Sequence, residues 1–235
     1  MTDEEIRTAA EEFARANKKA IAKELTNKTV FFPEKYPVTV FMAGCPGAGK
    51  TESSKNLLAQ FAKGVGPVIR IDPDELRDML PHYNGSNSSL FQAATTFIAE
   101  KMQDMAIEAN QSYIFDGTLT NLEAARSNIT RNIAHGRDVY IIYVYQNPLQ
   151  AWEFVKAREK RDGRHIPRES FIAQYFQARE NVNILKKEFG KGVIIYLVVK
   201  NIDGTDFNYF QNIDSIDNHI PERYNIAQLE QLIVE

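Results

Sequence analysis

The chain is predicted to fold as an α/β domain with a mainly parallel central sheet and helices on both faces. Apolar runs typical of buried strands alternate with segments of helical periodicity along most of the sequence. A glycine-rich segment, residues 44–51, lies between the first of these strands and the helix after it. A second apolar run, residues 68–72, completes a strand–helix–strand unit, whose strands pair in parallel through a right-handed crossover.

The elements can be predicted in chain order. Residues 3–25 place Ile6, Phe13 and Ile21 on one face of an amphipathic helix that packs on the core. Five strands are predicted, at residues 38–43, 68–72, 113–116, 139–145 and 193–199. Helices are predicted at residues 51–62, 73–80, 89–110, 122–135, 149–162, 168–189 and 226–233. We expect a single domain over residues 1–235, with residues 200–235 as a C-terminal extension.

The composition is ordinary for a globular protein, with 43% hydrophobic and 25% charged residues in 235. A net charge of −3 gives no general attraction to nucleic acid, so a nucleic-acid partner is not favoured. The single cysteine, Cys45, excludes an internal disulfide. The sequence shows neither an apolar signal core nor a run of about 18 apolar residues, so we expect a cytoplasmic protein without a membrane partner.

Residues 44–51 match the complete pattern G-x-x-x-x-G-K-[ST] of a phosphate-binding loop, with a strand before it and a helix after it. Backbone N–H groups of such a loop, together with the helix N-terminus, hold a phosphate chain. Lys50 should reach the β- and γ-phosphates, and the Thr51 hydroxyl should bind Mg²⁺. The fold is therefore that of P-loop NTPases and kinases, with ATP or GTP as ligand. The residues predicted to contact the nucleotide are Gly44, Cys45, Pro46, Gly47, Ala48, Gly49, Lys50, Thr51 and Glu52.

Three acidic residues, Asp72, Asp74 and Asp116, end predicted strands or follow them at once. Ligands bind at the carboxyl ends of parallel strands, so these side chains should lie near the phosphate-binding loop. Phosphoryl transfer to a hydroxyl needs a carboxylate that orients the attacking oxygen and accepts its proton, and Asp74 is the candidate. Asp72 is interpreted as a helix cap, or as a residue that holds Mg²⁺ through a water molecule.

A basic cluster surrounds the break between the helices predicted at 149–162 and 168–189, and it includes Arg158 and Arg164. A basic segment that closes over the nucleotide would stabilise the charge on the transferred group and exclude water. The simpler interpretation is an exposed charged helix, because Glu159 and Asp162 are interleaved with these bases and can pair with them.

The order of these motifs resembles the zeta toxin family of bacterial kinases over about residues 5–190. The phosphate-binding loop is followed by Ile71-Asp72-Pro73-Asp74-Glu75-Leu76-Arg77 and then by Leu80-Pro81-His82-Tyr83. Glu100 and Asp116-Gly117-Thr118 come next, and Arg158 and Arg164 resemble the two lid arginines of the family. The segment with two aspartates, joined to the paired arginines, is the more specific part of this likeness.

The resemblance implies transfer of the γ-phosphate of ATP or GTP, with Mg²⁺, to a hydroxyl of a small molecule. In the best-known members the acceptor is UDP-N-acetylglucosamine, phosphorylated at the 3′-hydroxyl of the amino sugar. It implies Asp74 as the base and Lys50, Arg158 and Arg164 on the phosphates. The residues expected on the acceptor side are Glu100, Asp116, Thr118, Arg77 and Tyr83. A small antitoxin partner is typical of the toxin members.

Three positions depart from the family pattern. Leu80 replaces a histidine, Asp116 stands where glutamate is common, and Thr120 stands where a basic residue is expected. All three lie on the acceptor side, so the sugar nucleotide is the open part of the prediction.

Two alternatives to a small-molecule kinase remain. One is a nucleotide kinase or an RNA-end kinase, against which the acidic charge balance argues when the acceptor is a polymer. The other is a GTPase-like switch that binds partners under nucleotide control. No Asn/Thr-Lys-x-Asp segment for guanine recognition lies in the expected place after the loop.

Overall fold

We describe the protein from a computed structural model, in which residues 1–64, 66–201 and 207–234 are described. The helices in these residues are α1 (Asp3–Leu25), α2 (Lys50–Gly64), α3 (Gln92–Glu108), α4 (Leu122–Ala134), α5 (Pro148–Asp162), α6 (Arg168–Phe189) and α7 (Ile226–Leu232). The strands are β1 (Val38–Ala43), β2 (Ile69–Ile71), β3 (Tyr113–Phe115), β4 (Asp138–Tyr145), β5 (Val193–Lys200) and β6 (Phe207–Gln211). Part of the predicted C-terminal extension, residues 202–206 and 235, lies outside the described residues.

One sheet contains all of these strands, in the order β2-β3-β1-β4-β5-β6. The first five are parallel and β6 is antiparallel to β5, so the predicted α/β fold with a mainly parallel sheet is confirmed. All five predicted strands are present, but the sixth, β6, was not predicted. The sixth strand has the sequence Phe-Asn-Tyr-Phe-Gln, in which polar residues interrupt the apolar ones. It lies at the edge of the sheet, where it pairs with β5.

The central strands are largely apolar because helices cover both faces of the sheet. Every residue of β1 after Val38 is buried, and so are Ile141 to Tyr145 of β4. Helix α6 packs on β1, β4 and β5, with Phe171, Ala178 and Leu185 fully buried.

At the other end of the sheet, β2 is a three-residue edge strand that pairs only with β3. Ile69 and Ile71 are buried in a second apolar cluster with α1 and α3. Helix α1 begins with a capping box between Thr2 and Glu5, which satisfies its first N–H groups. Since side chains alternate along a strand, Arg70 lies on the opposite face, towards α2.

The sheet order places the phosphate-binding loop near the middle of the carboxyl edge, because β1 lies between β3 and β4. Chain connections diverge to either side of β1, which is the position where open α/β sheets bind ligands. Within the described part of the chain, no helix has the length and apolar character needed to cross a lipid bilayer.

Candidate active site

The phosphate-binding loop joins β1 to α2 and curls tightly against β4 and α5. Gly44 has φ +133° and Gly47 has φ +75°, a region that side chains other than glycine rarely adopt. A Cβ atom would lie 2.4 Å from the Val144 carbonyl oxygen at Gly44 and 2.1 Å from the Ala151 carbonyl oxygen at Gly47. These two positions therefore accept only glycine.

Lys50 is folded back into this loop. Its Nζ donates to the carbonyl oxygens of Gly44 and Cys45 at 2.9 and 2.7 Å. Burial lowers the pKa of Lys50, while the charges of Asp116 and Asp74 raise it and Arg158 lowers it further. The charge of Lys50, the predicted phosphate-binding lysine, therefore interacts with the charges of Asp74, the predicted base, and Arg158, a predicted lid arginine.

Asp74 forms ion pairs with three arginines. Its Oδ1 contacts Arg77 Nη1 at 2.6 Å, and its Oδ2 contacts Arg158 Nη2 at 2.8 Å and Arg164 Nη1 at 2.6 Å. Burial raises the pKa of Asp74, but the three guanidinium groups outweigh it and hold the pKa below its ordinary value. The carboxylate is therefore ionised at neutral pH.

Two of these arginines come from the lid segment, which we define as residues 158–168. The segment leaves α5 through Gly163 at φ +71°, a left-handed helix end. The loop of residues 84–88 packs against it so closely that a Cβ on Gly85 would lie 2.8 Å from the Asp162 carbonyl oxygen.

The arginine side chains of the basic cluster point in different directions. Arg158 and Arg164 face Asp74, whereas Arg161 is 75% exposed and pairs with Asp162 at 2.7 Å. The interpretation as a charged helix with its own ion pairs therefore fits Arg161 but not the two arginines on Asp74.

Asp72 and Asp116 lie side by side because Ile71 pairs with Phe115 in the preceding register. One guanidinium, that of Arg70, bridges them: Nη2 contacts Asp72 Oδ2 at 2.5 Å and Asp116 Oδ2 at 2.6 Å. Burial raises the pKa of Asp72 to about 6, and the neighbouring Asp116 raises it as well, while Arg70 opposes both. Asp72 Oδ1 also accepts the N–H of Asp74 at 2.8 Å.

The helix predicted at 73–80 is a 3-10 helix, Glu75–Met79, and Asp74 precedes it without a side-chain cap. The Asp72 side chain instead accepts a hydrogen bond from the backbone N–H of Asp74, two residues later. The Asp74 carboxylate therefore meets Arg77 of its own helix through Oδ1, and Arg158 and Arg164 through Oδ2.

The acceptor-side predictions have mixed surroundings. Thr118 lies on the loop, since its carbonyl oxygen accepts the Gly44 N–H at 3.3 Å, and its hydroxyl is 2.9 Å from that of Thr120. Tyr83 packs edge-on against Phe91, with ring centroids 5.3 Å apart. Glu100 is exposed on α3, and in the described residues no hydrogen bond or ion pair joins it to the other predicted site residues. Its role stays a prediction.

The donor set at the loop fits Mg²⁺. Thr51 presents an exposed hydroxyl in the first turn of α2, and Mg²⁺ at such loops takes phosphate and water oxygens for most of its positions. Among the described residues, no group of three or more histidine, cysteine or acidic side chains is arranged to hold a metal ion. Asp72 has one oxygen on Arg70 and the other on a backbone N–H, so it could take part only through a water molecule.

The sequence interpretation missed Arg70, Ser54 and Lys200. Lys200 ends β5 and donates to Glu52 Oε2 at 2.9 Å, beside the first turn of α2. Both basic residues carried a detectable signal. Arg70 is the one charge within a buried strand, and Lys200 lies at the carboxyl end of a parallel strand, where ligands bind.

We predict that Asp72 makes the protein less stable as the pH rises through the mildly acidic range. A carboxyl group with a raised folded-state pKa stabilises the fold fully below its unfolded pKa, and that contribution is lost as pH rises to the folded value of about 6. Relative to Asp72→Asn, the wild type should lose about 2 kcal/mol of unfolding free energy between about pH 4.5 and pH 7. Urea unfolding across this range measures the difference, and parallel curves for the two proteins would contradict the assignment.

The family comparison gives a direct match. The zeta toxin profile matches residues 21–213, well over half of the chain. A search of curated proteins found no match.

Solved structures share the fold at low identity. The PezAT chromosomal toxin-antitoxin system of the human pathogen Streptococcus pneumoniae gives a TM-score of 0.62 at 15% identity, over 97% of this chain and 87% of that one. The complex AvrRxo1-ORF1:-ORF2 with ATP gives 0.58 at 16% identity, over 88% of this chain and 65% of that one. The Pnkp1/Rnl/Hen1 RNA repair complex gives 0.50 at 14% identity, over 83% of this chain and 55% of that one. At these identities the structures show a common fold, and the match to the family profile shows that the chain belongs to the zeta toxin family.

Proposed function

We propose that the protein is a kinase that transfers the γ-phosphoryl group of ATP, or of GTP, to a hydroxyl of a small molecule. One observation carries the proposal: the Asp74 carboxylate contacts three arginines, and its charge acts on Lys50 of the phosphate-binding loop. A switch protein needs the loop but has no use for a carboxylate held among arginines next to it. A kinase needs both.

The loop amides and Lys50 would hold the donor phosphates, and Mg²⁺ held by Thr51 would neutralise charge on the β- and γ-oxygens. The Lys50 ammonium is held by two loop carbonyl groups, and it needs only a small movement to exchange them for phosphate oxygens. The ATP complex among the similar structures supports ATP as donor.

An incoming γ-phosphate offers Arg158 and Arg164 a second anionic partner. When these arginines pair with the phosphate, the Asp74 oxygen that they contact becomes free to accept a hydrogen bond from the acceptor hydroxyl. The hydroxyl oxygen then attacks phosphorus in line as the bond to the leaving ADP oxygen breaks, and Asp74 takes the hydroxyl proton. The arginines stabilise the charge on the transferred group.

The acceptor would bind on the side of Arg77, Tyr83 and Thr118. Arg77 is buried, and its Nε has no hydrogen-bond partner in the described residues. A cation on the acceptor side suits an anionic acceptor, so a sugar nucleotide such as UDP-N-acetylglucosamine or a relative is the substrate class we propose. A toxin-antitoxin system among the similar structures supports a small antitoxin as partner.

A mass-spectrometric screen tests the proposal. Purified protein with Mg-ATP would be mixed with UDP-sugars, NAD, nucleotides, amino sugars and RNA, and we expect one sugar nucleotide to gain the mass of one phosphate. Lys50→Ala should give no such product, because the donor phosphates lose their cation. A product that Lys50→Ala also forms would come from a contaminating kinase. Phosphorylation of RNA ends alone would replace the small-molecule acceptor by a polymer.

We predict that Asp74→Asn keeps nucleotide binding but loses transfer. The amide is the same size, yet it cannot accept the hydroxyl proton, and general-base catalysis contributes about 10²- to 10⁴-fold to rate. Binding of a fluorescent ATP analogue and turnover of the acceptor measure the two effects separately. Near-normal turnover of the asparagine variant would remove Asp74 from the role of base.

The two arginines on Asp74 should differ sharply from a neighbouring arginine. Arg158→Ala and Arg164→Ala are each expected to lower kcat by about 10²- to 10³-fold, because each removes a donor from the transferring group. Arg161→Ala is the matched control, since Arg161 lies in the same segment but points to solvent and pairs with Asp162. Its kcat should stay within about twofold of wild type. Equal losses in all three variants would mean that the lid segment acts through its fold or overall charge.

A further inference from the structure

The predicted base is carried by a weakly anchored part of the sheet. Asp74 follows β2, which has three residues, lies at the sheet edge and pairs with one neighbour only. In-line transfer requires the base to stay within a fraction of an ångström of its productive position, and a misplacement of about 1 Å can cost about 10²-fold in rate. Backbone pairing of so short a strand provides little of that rigidity, so side chains must supply it.

Arg70 connects β2 to the elements beside it. Its Nε donates to Ser54 Oγ on α2 at 3.0 Å and lies 3.2 Å from Asp116 Oδ2, at the end of β3. Ser54 Oγ itself donates to Asp116 Oδ2 at 2.7 Å. The guanidinium is therefore joined to the helix that begins at Lys50 and to the strand next to the phosphate-binding loop.

The same guanidinium also contacts the segment that bears the base. Nη2 contacts Asp72 Oδ2 at 2.5 Å, and Nη1 contacts Glu75 Oε2 at 2.7 Å. Asp72 in turn accepts the backbone N–H of Asp74. An unbroken series of hydrogen bonds thus runs from Ser54 through Asp116, Arg70 and Asp72 to the main chain of Asp74.

This cluster is costly for stability alone. The Arg70 side chain is 8% exposed, and those of Asp72 and Asp116 are 7% and 3% exposed. Apolar residues of similar volume often stabilise a fold as well as a buried ion pair or better. A planar fork that reaches Ser54, two aspartates and Glu75 at once provides instead a fixed geometry, which lysine cannot reproduce.

We propose that Arg70 is a positioning residue that sets the place of Asp74 relative to the phosphate-binding loop. This inference rests on the proposed function, because it concerns the base of that reaction. The Arg70 guanidinium is engaged by Ser54, Asp72, Glu75 and Asp116, so we assign it no direct contact with the donor or the acceptor. It acts through Asp72 on the Asp74 main chain, and through Ser54 and Asp116 on α2 and β3.

The test compares two buried arginines. Arg70→Lys keeps the charge and loses the fork, and Arg70→Gln removes the charge. Arg137→Lys is the control, because Arg137 is 4% exposed and donates to Thr39 Oγ1 and to the carbonyl oxygens of Val38 and Gln111. Within the described part of the chain, none of its hydrogen bonds goes to a predicted site residue. For each variant, kcat, the KM for ATP and the midpoint of urea unfolding would be measured, and a crystal structure determined.

We expect Arg70→Lys to lower kcat by about 10- to 100-fold, with the KM for ATP within about threefold of wild type. Arg137→Lys should lose stability but keep kcat within about twofold under conditions where it is folded. A normal kcat in Arg70→Lys would overturn the inference. The inference would also fail if Arg137→Lys lost as much stability as Arg70→Lys and its kcat fell by the same factor.

The crystal structures keep the inference separate from the proposed function. If the wild type phosphorylates no acceptor in a Lys50-dependent way, the proposed function fails by itself. In that case, a displacement of the Asp74 main chain relative to α2 in Arg70→Lys would still support the positioning role of Arg70. An Asp74 main chain in the wild-type position would refute it.

Discussion

The guanidinium of Arg70 neutralises two buried carboxylates, and the arrangement of the site depends on that contact. Asp72 and Asp116 lie side by side through the register of β2 and β3, where two ionised groups repel each other in a poorly hydrated place. A cation between them offsets part of this repulsion and donates to one oxygen of each carboxylate. Because Arg70 also holds Ser54, the same contact joins the edge of the sheet to the helix that carries Lys50.

Asp74 shows the opposite balance of charge, with three cations around one carboxylate. Its lowered pKa makes it a poor base while the arginines remain on it. In the proposed reaction, the γ-phosphate draws Arg158 and Arg164 away, so the pKa of Asp74 should rise towards its ordinary value only when the donor is bound. The strength of the base is thereby coupled to occupancy of the phosphate-binding loop. The coupling needs no large conformational change, because the arginines already lie within 3 Å of the carboxylate that they would leave.

Much of this arrangement could be predicted from the sequence, for physical reasons. The glycine pattern of residues 44–51 specifies a backbone shape, and parallel strands bring their carboxyl ends to one edge, so Asp72, Asp74 and Asp116 had to lie near the loop. Periodicity and charge alone did not show which arginines of the basic cluster face Asp74; only the family resemblance singled out Arg158 and Arg164. Arg158 lies on α5, whereas Arg164 reaches Asp74 after the left-handed turn at Gly163. The strand β6 was missed because its polar residues break the apolar pattern.

The contacts of Arg70 also affect the predicted acceptor side, where the chain departs from the family pattern. Asp116 stands where glutamate is common, and its shorter side chain points inward: Oδ2 accepts from both Ser54 and Arg70, and the side chain is 3% exposed. Thr120, where a basic residue is expected, has its hydroxyl beside that of Thr118. In the proposed reaction, neither Asp116 nor Thr120 would offer an acceptor the charge that the family pattern places there. The charged residues of the predicted acceptor side would then be Arg77, which pairs with Asp74, and Glu100, which is exposed on α3.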